Sequence, residues 1–104
     1  LILTSGLIAQ GVLQITSPET GETIEGDLVT VSFTLASYFS IGEPECVDCD
    51  GYITVFVNEN FIQNVTSSDD FDINDLYDGN YLLRIEAVDT SGYNFDPAIQ
   101  DTVS

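Results

Sequence analysis

The residues in this chain able to do chemistry are two cysteines three positions apart, Cys46 and Cys49, and a crowd of carboxylates. A C-x-x-C pair can exchange disulfides when a helix N-terminus or a nearby cation depresses one thiol pKa. Here the pair lies in ECVDCD, with no helical pattern and no cation beside it. Zinc wants about four ligands, and two sulfurs with no histidine in the chain fall short. The spacing therefore predicts a small Cys46–Cys49 disulfide ring that pins the tip of a long loop in an oxidising, extracellular compartment. An intermolecular link or a pair of thiols is the alternative.

The carboxylates offer a different chemistry. Eighteen acids face one arginine and no lysine, for a net charge of −17. Calcium takes six to eight oxygens from carboxylates and carbonyls. Glu43, Glu45, Asp48, Asp50, Asp89 and Asp96 are candidate ligands if the loops that carry them meet at one end of the fold. A second group, Glu19, Glu22, Asp27, Glu59, Asp75 and Asp78, belongs to the opposite end. The plain alternative is a solvated acidic surface, and calcium is the only cofactor these residues suggest.

The same balance excludes other classes. With a single arginine to displace phosphate counterions, nucleic acid is not a partner, and anionic membranes are excluded on the same ground. Paired carboxylates can hydrolyse glycosides, but they need a cleft, and 104 residues of small strands leave little room for one. The chain does not read as an enzyme. Without lysine there is no Lys–Asn isopeptide link, so assembly would be noncovalent or through cysteine. No run approaches the ~20 apolar residues of a membrane-spanning helix.

Period-two alternation positions these groups. Residues 76–89, LYDGNYLLRIEAVD, place Tyr81, Leu83, Ile85 and Ala87 on one face and Leu82, Arg84, Glu86 and Val88 on the other. That pattern predicts a strand entered through an Asp78-Gly79 turn. Residues 28–36 alternate Val29, Val31, Phe33 and Leu35 against Thr30, Ser32 and Thr34, as a half-buried antiparallel strand does. Residues 51–57 turn Ile53, Val55 and Val57 inward. Their outer positions Tyr52 and Phe56, with Leu82 and Val88, predict an apolar contact patch. Further strands fall at residues 12–16, 61–65, 71–73 and near 99–103. The last looks too short to cover its neighbour, which would leave an unpaired edge. Asn64-Val65-Thr66 fits an N-glycosylation acceptor.

Residues 1–10, LILTSGLIAQ, carry no charge. An apolar run ending in Ala9-Gln10 fits the tail of a signal peptide. Leu1, Leu3, Leu7 and Ala9 also share one face at strand spacing, which predicts an extended strand of about 30 Å packed on a hydrophobic surface.

Ser17-Pro18, the Val29/Val31/Phe33/Leu35 strand, Gly51-Tyr52-Ile53 and Leu76, Asp78-Gly79 and Tyr81 with Ala87-Val88-Asp89 resemble bacterial extracellular immunoglobulin-like or fibronectin-III-like modules. The Tyr81 entry is similar to the tyrosine corner of Greek-key sandwiches. The resemblance covers residues 12–104 and departs from antibody domains, with no Trp and no inter-sheet cysteines. It implies an all-β fold: a single immunoglobulin-like antiparallel Greek-key β-sandwich over residues 11–104, preceded by an extra apolar strand over residues 1–10. It also implies adhesion, spacing or polymer formation outside the cell. The expected function is a structural subunit of an extracellular, pilus-like filament. The N-terminal strand of each subunit (Leu1, Leu3, Leu7, Ala9) would be donated noncovalently to the next, a homo-oligomeric head-to-tail contact that also uses Tyr52 and Phe56. The alternative is an adhesion or spacer module of a larger surface protein that binds calcium.

Overall fold

A computed structural model describes residues 12–104; the expectations placed on residues 1–10, including Leu1, Leu3, Leu7 and Ala9, lie outside the described residues. Seven strands follow in order: β1 (Leu13–Ser17), β2 (Val29–Leu35), β3 (Tyr52–Val57), β4 (Asn60–Val65), β5 (Phe71–Ile73), β6 (Leu83–Val88) and β7 (Gln100–Val103). They form two antiparallel sheets, ordered β1-β2-β5 and β4-β3-β6-β7. No helix occurs among the described residues.

The alternation in the sequence becomes the core. Val29, Val31 and Phe33 of β2 face Ile53, Val55 and Val57 of β3 and Leu83, Ile85 and Ala87 of β6, all buried in one cluster with Leu13, Ile15, Val65 and Ile73. Period-two side chains on two antiparallel sheets can bury one face each only by packing those faces together. Leu35, Phe71, Tyr81, Ile99 and Val103 pack against the rim of the cluster.

Turn chemistry sets the hairpin between β3 and β4. Asn58 and Glu59 both adopt positive φ, 51° and 65°. A two-residue loop with positive φ at both positions is the turn whose twist matches the flanking strands. Asparagine tolerates this conformation, whereas glutamate does so only at a cost.

One expectation is overturned. β7 is not too short for its neighbour. It pairs with β6 from Leu83↔Val103 to Glu86↔Gln100, the Ala87 amide continues the ladder to the Ile99 carbonyl, and Val88 bridges Asn94. Every residue of β6 is thus matched on the β7 side by residues 94–103. The polar run QDTV hid this, because ladder pairing is made by backbone and needs no apolar side chain.

Candidate functional site

The loop end of the sandwich is built by two segments. Residues 36–50 begin at the Ala36 amide, bonded to the Val12 carbonyl, and fold back through paired contacts between Ser40 and Asp50. Cys46 and Cys49 are joined in a disulfide, as their spacing predicted. Gly42 lies against both sulfurs with no room for a Cβ. The segment reaches the β6–β7 loop through the Glu45 amide, which donates to the Thr90 carbonyl at 2.8 Å, and through an edge-to-face pair of Phe39 and Phe95, 5.7 Å apart. The two acid-bearing loops do share one end.

Their carboxylates do not converge. Asp50 accepts from the Ser40 amide at 2.9 Å, and Asp89 accepts from the amides of Ser91 and Tyr93 at 2.9 and 3.0 Å. These oxygens are occupied in holding loop backbone, the ordinary role of Asp in a turn. Glu43, Glu45, Asp48 and Asp96 are exposed. Among the described residues no three acids or cysteines come together as a metal site. Tyr38, Val47 and Tyr93 also stand out from these loops, 76%, 94% and 72% exposed.

The outer face of the four-stranded sheet holds the chain's single cation. The Arg84 guanidinium lies 4.0 Å from the centre of the Phe56 ring. It bridges Glu59 across the hairpin, at 2.9 Å, and Glu86 on its own strand. Partial burial works against its charge, but hydrogen bonds to Glu59 and Glu86 and their Coulombic pull outweigh this and raise its pKa above the ordinary value. Arg84 thus covers part of the expected apolar patch. Phe56 is half-buried beneath Arg84 and beside Phe61. Val88, paired with Tyr52, is buried, and Gly92 of the β6–β7 loop comes close to the Tyr52 hydroxyl. Tyr52 and Phe56 stay half-exposed within a face the chain packs itself.

The edges differ sharply. On one side β1 and β7 lie together, closed by Asp101, whose carboxylate accepts from the Ile15 amide at 2.8 Å, and by the Gly21 amide donating to the Ser104 carbonyl at 2.7 Å. On the other side β4 ends its sheet, pairing with β3 alone. Its sequence NFIQNV has no charge and no proline. Phe61 and Ile62 are 56% and 43% exposed, and Asn64 of the glycosylation motif is exposed beside them. Nothing in the sequence pattern separates an edge strand from a central one, so this feature was not foreseen.

At the end away from the disulfide a groove of about 810 Å³ opens between the sheets, floored by Val29, Val57, Ile73 and Leu83 and flanked by Tyr77. No protein-family model, curated protein or solved structure matches the chain.

Proposed function

We propose that this chain is a structural subunit of an extracellular filament, an immunoglobulin-like Greek-key sandwich that assembles noncovalently when residues 1–10 of one copy add to the sandwich of the next. The observation that carries the reading is that residues 12–104 already complete their own core. The buried cluster is drawn from β1 to β6 with Val103 of β7 packed against it, β6 is paired throughout, and no buried side-chain polar atom among the described residues lacks a partner. Residues 1–10 are uncharged and carry apolar residues at strand spacing, and an apolar strand gains most from covering a surface that another copy leaves open. Donation here is addition to an edge rather than replacement of a missing strand.

The immunoglobulin-like type draws on two features. The order β1-β2-β5 and β4-β3-β6-β7 differs from the constant-type sandwich by transfer of its fourth strand to the opposite sheet. The Tyr81 hydroxyl donates to the carbonyl of Tyr77, four residues upstream, as a tyrosine corner does. The Cys46–Cys49 bridge suits an oxidising, extracellular location.

The test is electron microscopy and light scattering on the full chain beside a version lacking residues 1–10. Filaments that need those residues support the reading. A monomer in both cases removes it. A second reading, an adhesion or spacer module, is favoured by the exposed Tyr38 and Tyr93, since aromatic side chains on loops at one end of a sandwich make contact surfaces.

A further inference from the structure

We infer that the outer edge of β4 is the surface that receives residues 1–10 of a second copy, so that each subunit offers one strand and one edge. The inference rests on the filament reading above and adds the place of contact.

A donated strand needs a row of backbone partners along its length, with side chains matched on alternate sides. The sandwich has four strand edges. Those of β1 and β7 face each other and are tied by Asp101 to Ile15 and by Gly21 to Ser104. The edge at β5 is only three residues long, carries Asp72, and is bracketed by Asp69, Asp70 and Asp75. Short and charged is how natural sheets protect an edge. β4 is neither short nor charged, and its one irregularity is a single register shift against β3 at Ile62. It is six residues long, about 20 Å, and its outer side has no backbone hydrogen-bond partner among the described residues. In a chain of net charge −17 it is uncharged from Asn60 to Ser68.

The occupant is matched in length and chemistry. Residues 1–10 are likewise uncharged, and at about 3.3 Å per residue they span about 33 Å, enough to pair along the whole of β4. Two acidic subunits meet best through segments that bring no charge to the contact. Phe61 and Ile62 give Leu and Ile side chains an apolar surface. The inter-sheet groove near Leu83 is the weaker receiver, because its rim is made of turns and strand ends such as Gly79 and Ser104 rather than a continuous strand. Pairing of an edge in one copy with a terminal strand of another does not close on itself, so it propagates.

The test uses hydrogen exchange and two variants of the full chain, Ile62→Lys and Phe61→Lys, with thermal melting to establish that each folds. Lysine lowers the net negative charge, so a general electrostatic effect would promote assembly. Loss of filaments in either folded variant, with alternate amides of β4 exchanging at least about tenfold more slowly in wild-type filaments than in the chain lacking residues 1–10, is the expected result. Filaments formed by both variants, or wild-type filaments whose β4 amides exchange as fast as in the monomer, overturn the edge and leave the filament reading standing. A wild-type chain that stays monomeric removes both. Protection of β4 in a monomer that depends on residues 1–10 shows the strand folding back on its own domain, which also overturns the proposal.

Discussion

The Asp101 carboxylate and the Ile15 amide, 86 positions apart, are joined by a 2.8 Å hydrogen bond across the gap between the two sheets. Ile15 lies on the edge of one sheet and Asp101 on the edge of the other, and no backbone ladder links them. A side chain does the closing that a barrel achieves by continuous pairing. Asp101→Ala leaves the Ile15 amide without its acceptor and is expected to lower stability by about 1–2 kcal/mol, or roughly 5–15 °C in Tm for a domain near this size. Asp101→Asn keeps an acceptor oxygen and loses less. Urea melts of the three proteins check this. A second open edge also predicts that Asp101→Ala aggregates without order where the wild type does not.

Arg84 and Glu86 stand or fall together. Glu86 is 7% exposed, and Arg84 is its cationic partner. Arg84→Leu strands a buried carboxylate and is expected to cost about 3 kcal/mol. The double variant Arg84→Leu, Glu86→Leu should recover most of that loss, since an apolar pair replaces an ion pair at little cost. The sign of the pH dependence follows from the raised pKa of Arg84. A group with a raised folded pKa contributes fully below its unfolded value, which for arginine lies far into the alkaline range, and loses that contribution only above it. Alkaline melts up to pH 10 therefore leave the Arg84 contribution in place, and a double-mutant cycle at neutral pH is the measurement that reads it. An Arg84→Leu protein as stable as wild type would show the pair to be idle.

Glu59 holds a backbone conformation that suits glycine, with φ at 65°. It also bridges Arg84, but its side chain is 56% exposed, and an exposed bridge is worth only about 0–1 kcal/mol. Removing a side chain from that conformation gains about 1 kcal/mol or slightly more. Glu59→Gly is thus expected to be neutral to stabilising by up to about 1 kcal/mol, while Glu59→Gln, which keeps the strain and loses the charge, is destabilising. Thermal melts of both variants beside wild type decide which term is larger. A Glu59→Gly protein that melts well below wild type would show that the bridge outweighs the backbone.

Much of this fold was legible. VTVSFTL, YITVFV and LRIEAV alternate, and Val31, Val55 and Ile85 went to the core as that alternation requires. The Asp78-Gly79 turn and the Cys46–Cys49 bridge were readable because each depends on residues close in sequence. What was not legible depends on distant partners. Val88 alternates outward yet is buried, at the point where its backbone bridges Asn94 of the β6–β7 loop. The acidic loops were rightly brought to one end, but the direction of each carboxylate is set by local backbone, and Asp50 turns to Ser40 rather than to a shared centre. The full pairing of β6 by β7 left little apolar trace, since Val103 is the one apolar residue of QDTV.

Gly51 is a position where only glycine fits. A Cβ there would overlap the carbonyl of Val88, so β3 and β6 approach more closely at this point than any side chain permits. Gly51 also bonds Gly42 and Ser40 through its carbonyl and amide. Gly51→Ala should push the strands apart and release residues 36–50, at a cost of about 3 kcal/mol. By contrast Gly21→Ala meets nothing within 4 Å and is strained only by its φ of 82°, for a smaller loss of about 1 kcal/mol. Paired melts check the order, and equal losses would show that the close approach to Val88 relaxes.

Salt separates an uncharged contact from a charged one in the assembly. Each copy carries −17, so copies repel, whereas residues 1–10 and β4 bring no charge to the contact. Screening reaches about 30 Å at 0.01 M salt and about 8 Å at 0.15 M. Added sodium chloride should therefore weaken the repulsion and leave the contact itself unaffected. Filament growth followed by light scattering is expected to rise steeply between about 10 and 150 mM, and then to level off once the screening length falls below the size of the contact. A contact held by ion pairs would do the reverse and dissolve as salt is raised. That outcome would count against addition of residues 1–10 to β4, because no cation lies in either segment, and would point to Arg84 and the acidic loops as the surfaces that meet.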